Sequence, residues 1–557
     1  LCAYVPLAVR IAGARLAGRR HWSLGYLVAR LGDEHRRLDE LSAGDLAVRA
    51  GFAVSYTRLP DDVRRLFRLL GLLEVTDFAG WVAAALLGVS VESARTRLEA
   101  LVDAQLIGTT GTDPTRYRFH DLVRLYARER AHEEDPPDVR TAALTRLFGG
   151  WLSLAEHAAE RVPGPCYAAI HGDAPRWVVP YPSGDPSAWF DTEWVALVAA
   201  INQACDLGLD EFAWDLAGCL EKYFDVRAMA AEWRATHERA LELCRTTGNL
   251  RGEAVLLRGL VEVTTWISAD PSGTAMATLH ERSRRLLRMF ERADEPRGMA
   301  DALVNCAWGL VAEGRPDEAL AATGRALALA RDHDHLGGQA RAHHLMGVAY
   351  GQDRPGAAIE HLTQALDLAR ELGNPRFEST ALQFLGAAHC AAGHVDSGHD
   401  LLVESLTRCH ERGDRYAEAF SLLYLAKLYA ATDDPRARPA AEAVLSISRR
   451  QGMRHHMADS LKVLGDLDLA AGRYASATIR LEESVLVWRS RGWTSFLADT
   501  LRSLGHAHAG TGDGESAAGA WTEARSLFEE LSDAEGAAEM TSQLDRVRAT
   551  PPGATCR

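Results

Sequence analysis

A period constrains this chain more than any other feature. From about residue 300 to 530 one pattern returns every 38 to 40 residues, six times over. It is anchored on a small residue that follows an apolar one, at Trp308-Gly309, Met346-Gly347, Leu385-Gly386, Leu425-Ala426, Leu464-Gly465 and Leu504-Gly505. A second series keeps pace with it through Ala326-Leu327, Ala365-Leu366, Ser405-Leu406, Val444-Leu445, Ser484-Val485 and Ala524. Turn formers lie between the two, at Gly314, Asp353, Gly393, Asp433, Gly472 and Gly512. Each unit therefore predicts a helix, a tight turn, a second helix and a glycine-containing connection such as Glu371-Leu372-Gly373-Asn374. A lone helix pair cannot bury its apolar face, so the units stack into a solenoid with one continuous core. Gly259 and Gly218 fit as earlier members, with extra length at Ser268 to Thr274.

The pattern resembles tetratricopeptide repeats, with Tyr350 and Tyr429 three residues after the small position as in that family. The period exceeds the family's roughly 34 residues, which implies helices longer by about a turn. If the small residue is counted as position eight of each first helix, positions two and five fall on the concave face. The candidates there for a protein or ligand contact are Arg341, His344, Gln383, Asp459, Lys462, Asp499 and Arg502.

The N-terminal part reads differently. Pro6 to Ala17 and Ser23 to Leu41 are helical stretches, with further helices near 45 to 56 and 60 to 73. Phe78 to Leu87, a turn at Gly88 to Ser90, and Val91 to Leu106 predict a helix-turn-helix. A hairpin follows, Leu106 to Thr109 against Arg116 to Phe119, which completes a winged helix. Helices then run from Asp121 to about His132 and over roughly 138 to 161. Residues 162 to 190 hold six prolines with Trp177, Tyr181, Trp189 and Phe190, a loop whose aromatics imply that it packs on something. The expected fold is mainly all-α, a helical subdomain and winged helix followed by an α-solenoid. Its domains are 1–44 (helical end of a larger module), 45–135 (winged helix), 136–192 (helix and connector), 193–545 (solenoid) and 546–557 (disordered tail).

Charge narrows the partners. Residues 1 to 135 carry 19 Lys/Arg and 18 Asp/Glu, so the acidic excess behind the net charge of −14 lies in the rest of the chain. An acidic solenoid is a poor polyanion binder and favours proteins or cationic ligands. The second helix of the predicted helix-turn-helix, Val91 to Asp103, carries at least as many acids as bases, unlike a recognition helix in a basic field. Nine cysteines lack any C-x-x-C spacing, as expected of reduced thiols in a cytoplasm. No stretch of 18 uncharged apolar residues occurs, so no membrane span is expected. The chain opens on Leu1, and we expect it to be a piece of a longer protein.

Catalytic motifs are missing. No glycine precedes a lysine, so there is no Walker A loop, and neither H-E-x-x-H nor G-x-S-x-G occurs. The histidines of the His389/His394/His399 series are five apart, about 140° around a helix, which puts no two neighbours on one face. They are read as solvated or packed side chains.

Three stretches taken in order suggest more. These are Tyr4-Val5-Pro6-Leu7-Ala8, Phe52-Ala53-Val54-Ser55-Tyr56-Thr57-Arg58-Leu59-Pro60 and Tyr117-Arg118-Phe119-His120-Asp121-Leu122. The series resembles the second half of an NB-ARC ATPase of the STAND class, with its G-L-P-L-A, L-S-Y-x-x-L-P and M-H-D motifs. The resemblance implies a nucleotide site of Pro6, His120 and Asp121, in which Pro6 packs near the adenine of ADP or ATP, His120 hydrogen-bonds the β-phosphate of ADP, and Asp121 sits where a helix cap would be. Phe119 stands for the family's Met, and Tyr4-Val5 for its Gly-Leu. The P-loop, the Mg²⁺-binding acid and the arginine sensor would precede Leu1, so nucleotide is expected only with that upstream core and this stretch alone hydrolyses nothing.

Joined to the repeats, these features resemble regulators of the AfsR/SARP family. That implies an upstream DNA-binding module, a cytoplasmic location, a protein or peptide partner on the solenoid, no membrane contact, and scope for a nucleotide-dependent oligomer. A STAND ATPase of bacterial defence with another effector, and a nucleotide-independent scaffold, remain alternatives.

Overall fold

The structure is a computed structural model that describes residues 6–18, 23–32, 42–43, 46–111, 115–181, 184–267, 276, 278–351 and 353–549. Tyr4-Val5, the hairpin tip at 112–114, the extra length at 268–275 and the tail from 550 lie outside the described residues. The chain divides into two compact units. One comprises residues 1–162, 171–223 and 236–247; the other comprises 163–170, 224–235 and 248–557.

In the first unit the Asp61–Leu70 helix supplies the centre of a core. Its Leu66, Phe67 and Leu70 are fully buried, and the Phe67 ring meets Tyr56, Phe119 and Tyr126 at 5.6 to 6.3 Å. The polar end of this cluster is closed by Arg68, which donates to both Asp135 oxygens (2.7 and 2.9 Å) and to Tyr56 Oη (2.9 Å). The helices Trp81–Leu87 and Val91–Asp103 follow, the latter capped by Ser90, whose hydroxyl accepts from Ser93 N. Gln105 takes a left-handed φ of 56°, which ends this helix before the sequence pattern suggests and turns Leu106 inward.

A three-stranded antiparallel sheet completes the region. Strands β1 (Phe78–Ala79), β2 (Ile107–Thr110) and β3 (Arg116–Phe119) lie in the order β1-β3-β2, with Phe78 opposite Tyr117 and Ile107 opposite Phe119. The expected start of a helix at Phe78 is corrected here. Phe78 and Ala79 are strand, because Arg116 reaches back to Asp77 and the Phe78 ring stacks on Tyr117 at 6.0 Å, and the helix begins only at Trp81. Glu193, on the Pro186–Asp206 helix, is buried between Arg116 and Trp151, whose Nε1 donates to it at 3.2 Å. That contact joins the sheet to the long Pro137–Arg161 helix.

The second unit is built of helix pairs. First helices Pro296–Ala312, Leu336–Tyr350, Pro375–Ala391, Arg415–Ala431, Arg454–Ala470 and Thr494–Thr511 alternate with second helices Pro316–Asp332, Pro355–Glu371, Val395–Arg412, Ala437–Gln451, Tyr474–Arg491 and Gly514–Glu530. A final helix, Ala534–Ala549, packs on the last pair. The predicted turn positions Gly314, Gly393, Asp433, Gly472 and Gly512 all have φ between 54° and 85°, the left-handed value that lets a helix end and the chain reverse. The small position works by proximity. A Cβ on Gly465 would lie 2.7 Å from Cγ of the fully buried Leu481, so glycine there sets how closely the two helices of a pair approach. Apolar clusters run through the array, one gathering Leu303, Leu310, Leu327 and Leu345, another Leu481, Trp488, Leu501, Trp521 and Phe528.

Candidate functional site

The stretch from Phe119 to Leu122 is held from both sides. Phe119 pairs in the sheet and packs its ring on Phe67, while Leu122 is fully buried at the start of the Asp121–Glu134 helix. Between them His120 and Asp121 are exposed. His120 occupies the cap position with extended backbone (φ −75°, ψ 134°), its carbonyl accepts from Arg124 N at 2.9 Å, and its imidazole makes no capping hydrogen bond. The cap therefore falls one residue before Asp121, which lies in the first turn, where an acid favours the positive end of the helix. Pro6 is the first residue of the Pro6–Gly18 helix, which buries Ala8 and Ile11; its own side chain lies outside what is described. The second and third stretches meet through Tyr56, whose ring crosses Tyr126 edge-on at 5.9 Å and whose hydroxyl donates to Glu134.

The seven solenoid positions do not form one open surface. Asp459 accepts from Lys427 Nζ at 2.6 Å, Lys462 donates to Asp466 at 2.7 Å, and Arg502 donates to Asp499 at 2.8 Å. Gln383 is buried and ties its repeat to the next, donating to Ala417 O (3.0 Å) and Ser421 Oγ (2.8 Å). His344 is buried among Trp308, Phe377 and Phe384, and burial, with Arg341 nearby, pulls its imidazole down to about 4. Its neighbour His343 is also pulled down to about 4, by burial and by His361.

Arg341 belongs to a more elaborate arrangement. Its guanidinium donates to Asp301 Oδ1 (2.8 Å) and Asn305 Oδ1 (2.7 Å) and lies 3.9 Å from the ring centroid of Tyr167. Tyr167 belongs to the irregular segment 163–170, which is part of the second unit although the residues on either side belong to the first. Arg258 approaches the same ring, at 4.9 Å from the centroid, and the phenol bonds Glu262 and Asn305. Burial and the Glu262 charge raise that phenol well above its ordinary value. Asp301 Oδ2 accepts from Ala168 N (2.9 Å) and from Arg258 (3.1 Å), while Arg258 also donates to Ala168 O (2.9 Å). His335 Nε2 completes the set at 3.1 Å from Asp301 Oδ1. Burial would raise the Asp301 carboxyl, but His335, Arg341 and Arg258 together hold it at about 2. At the other end of the segment, Asn374 Nδ2 donates to Gly164 O at 2.9 Å.

In the first unit His171, Asp215 and Cys219 bring ligand-type atoms within 4.8 Å of one another, a grouping the sequence reading missed because 44 residues separate the first two. Arg176 bridges Glu156 and Asp215 there. Burial drives the Cys219 thiol well up, away from the thiolate that a metal would take.

The helix pairs of the second unit define an α-helical repeat protein. A solved STAND protein with a tetratricopeptide repeat sensor, from Pyrococcus horikoshii, matches 97% of this chain and 74% of its own at a TM-score of 0.55 and 13% identity. No family model matches the chain. In sequence it is AfsR-like: it is 33% identical to the regulatory protein AfsR of Streptomyces griseus over 550 residues, 98% of this chain and 50% of that protein. Against the AfsR of Streptomyces coelicolor it is 32% identical over 391 residues, 62% of this chain and 39% of that protein. The chain thus spans half or less of the length of the curated relatives it matches. Among the described residues no helix is long and apolar enough to cross a membrane.

Proposed function

We propose that this chain is the sensor and switch region of a bacterial transcriptional regulator, in which an ADP/ATP-dependent NB-ARC switch is coupled to a tetratricopeptide array that takes a protein or peptide partner. The observation that carries the nucleotide half is His120. It stands exposed at the head of a 14-residue helix, between the anchored Phe119 and Leu122, with its imidazole not spent on capping. A phosphate placed there would meet an imidazole donor and the positive end of the helix. Asp121 in the first turn holds the helix start, and Pro6 would contribute an apolar face to the adenine. The P-loop and magnesium ligands would come from the part that extends the AfsR relatives beyond this stretch. DNA contact is assigned to that upstream part as well, because the array is acidic. A cytoplasmic location and nucleotide-dependent self-association belong to the same reading.

The test uses a protein extended upstream to include the nucleotide-binding core. ADP should co-purify with the wild type and be retained at least tenfold less by His120→Ala. Equal nucleotide content in the two proteins would remove His120 from the site.

A further inference from the structure

The segment 163–170 crosses the first helices of four consecutive repeats and is held in the way a bound peptide is held. Its sequence is Pro163-Gly164-Pro165-Cys166-Tyr167-Ala168-Ala169-Ile170. Ala168 meets Arg258 and Asp301, on the Leu250–Glu262 and Pro296–Ala312 helices. Tyr167 reaches Glu262, Asn305 and Arg341, adding the Leu336–Tyr350 helix. Gly164 meets Asn374, the cap of the Pro375–Ala391 helix. The segment therefore runs against the order of the repeats. Gly337 has no side chain where the Cys166 carbonyl lies, so the backbone settles directly on the helix.

Two features separate this arrangement from ordinary loop packing. Its hydrogen bonds go largely to main-chain groups: Asp301 takes the Ala168 N–H, Arg258 the Ala168 carbonyl, and Asn374 the Gly164 carbonyl. Such a clamp holds any extended chain, whatever its side chains. The one side chain that is read closely is Tyr167, whose ring has two guanidinium groups within 4.9 Å of its centroid and whose hydroxyl is on a carboxylate. Aromatic rings faced by arginine are a recurrent recognition device. Moreover, the segment has no regular secondary structure, so it can leave the helices without unravelling one.

We propose that the face formed by these four first helices is a peptide-binding groove, occupied here by the chain's own residues 163–170. Its partner ligand is an extended, uncharged peptide segment with an unphosphorylated tyrosine, which displaces the internal one. Glu262 decides the phosphorylation state, since a carboxylate against the phenol oxygen repels a phosphate. The inference deepens the proposed role of the array and rests on it, but its test needs no nucleotide and no upstream domain, so the two can fail separately.

The probe is a fluorescein-labelled octapeptide of the segment's own sequence with serine in place of cysteine, titrated into the 557-residue chain and read by polarisation. Tyr167→Ala loosens the internal segment and should bind the peptide at least tenfold more tightly than wild type. The same peptide with its tyrosine replaced by alanine should lose that binding, and the phosphotyrosine version should bind at least tenfold more weakly. A folded Tyr167→Ala chain that gains no affinity, or a peptide indifferent to loss of its tyrosine, would overturn the groove. Tighter binding of the phosphopeptide would overturn the assigned chemistry. Hydrogen exchange on the wild-type chain covers the case in which the variant does not fold. The Ala168 amide should exchange at least tenfold faster with saturating peptide present, and an unchanged rate would refute displacement.

Discussion

Asp301→Asn is the perturbation that asks most of the groove. Asp301 is completely buried and accepts from Ala168 N and Arg258 on one oxygen and from Arg341 and His335 on the other. Asparagine has the same shape but no charge, and its amide turns a donor toward groups that are already donors. Removing one member of a buried ionic set costs about 3–5 kcal/mol, because the remaining charges stay buried without compensation. That is a large share of the roughly 5–15 kcal/mol that stabilises a typical domain. Proton linkage gives a second, independent magnitude. The Asp301 carboxyl titrates at about 2 in the folded chain, and an unfolded aspartate at about 3.9. The folded value is depressed, so its stabilisation is fully present above the unfolded value and disappears as pH falls toward 2. The size is on the order of 2–3 kcal/mol. Urea unfolding at pH 7 should therefore show the variant several kcal/mol weaker, and the gap should narrow between pH 4 and 2. Hydrogen exchange should show Ala168 deprotected in the same variant. A loss under about 1 kcal/mol at pH 7, with Ala168 still protected, would refute the assignment of Asp301 as the organising charge.

Buried histidines make the array acid-sensitive in a higher window. His343 and His344 titrate at about 4 when folded, below the unfolded value, so each contributes stability that is complete above about pH 6.5 and is lost on descending to pH 4. His344 alone accounts for about 3 kcal/mol, and His344→Phe, in a site lined by Trp308, Phe377 and Phe384, should flatten the unfolding free energy between pH 6.5 and 4. An unaltered pH profile would show that this imidazole is not buried neutral. Two helical glycines should respond in opposite directions to alanine. Gly465→Ala presses a methyl on buried Leu481 and should cost about 1–3 kcal/mol, whereas Gly519→Ala points into open space and should stabilise by up to about 1 kcal/mol. Thermal melts of the two variants shifting the same way would contradict the packing described for the small position.

The array was legible because its information is local and repeated. A small residue every 38 to 40 positions and a turn former between each pair locate helices, turns and close contacts with no knowledge of the partner helix. The order of Tyr56, Phe119 and His120 likewise marked a region whose aromatic residues do come together around Phe67. Elsewhere the decisive contacts are long-range. Phe78 looks helical in its own neighbourhood and becomes strand only because Tyr117, 39 residues on, offers an edge. The proline-rich connector was expected to pack on something, yet no periodicity links Tyr167 to Arg341 or Gly164 to Asn374. Counting positions along each first helix named Arg341 as a candidate contact. It could not show that Tyr167 already covers it, nor that Gln383 is consumed between repeats.

The central claim is that the nucleotide switch and the repeat groove are coupled, and coupling is reciprocal by thermodynamic necessity. The direct measurement is the affinity of the upstream-extended protein for ADP, by calorimetry, with and without saturating octapeptide. The account predicts that the peptide weakens ADP binding by at least fivefold and that ADP weakens peptide binding by the same factor. Peptide binding in the groove with an unchanged affinity for ADP would contradict it.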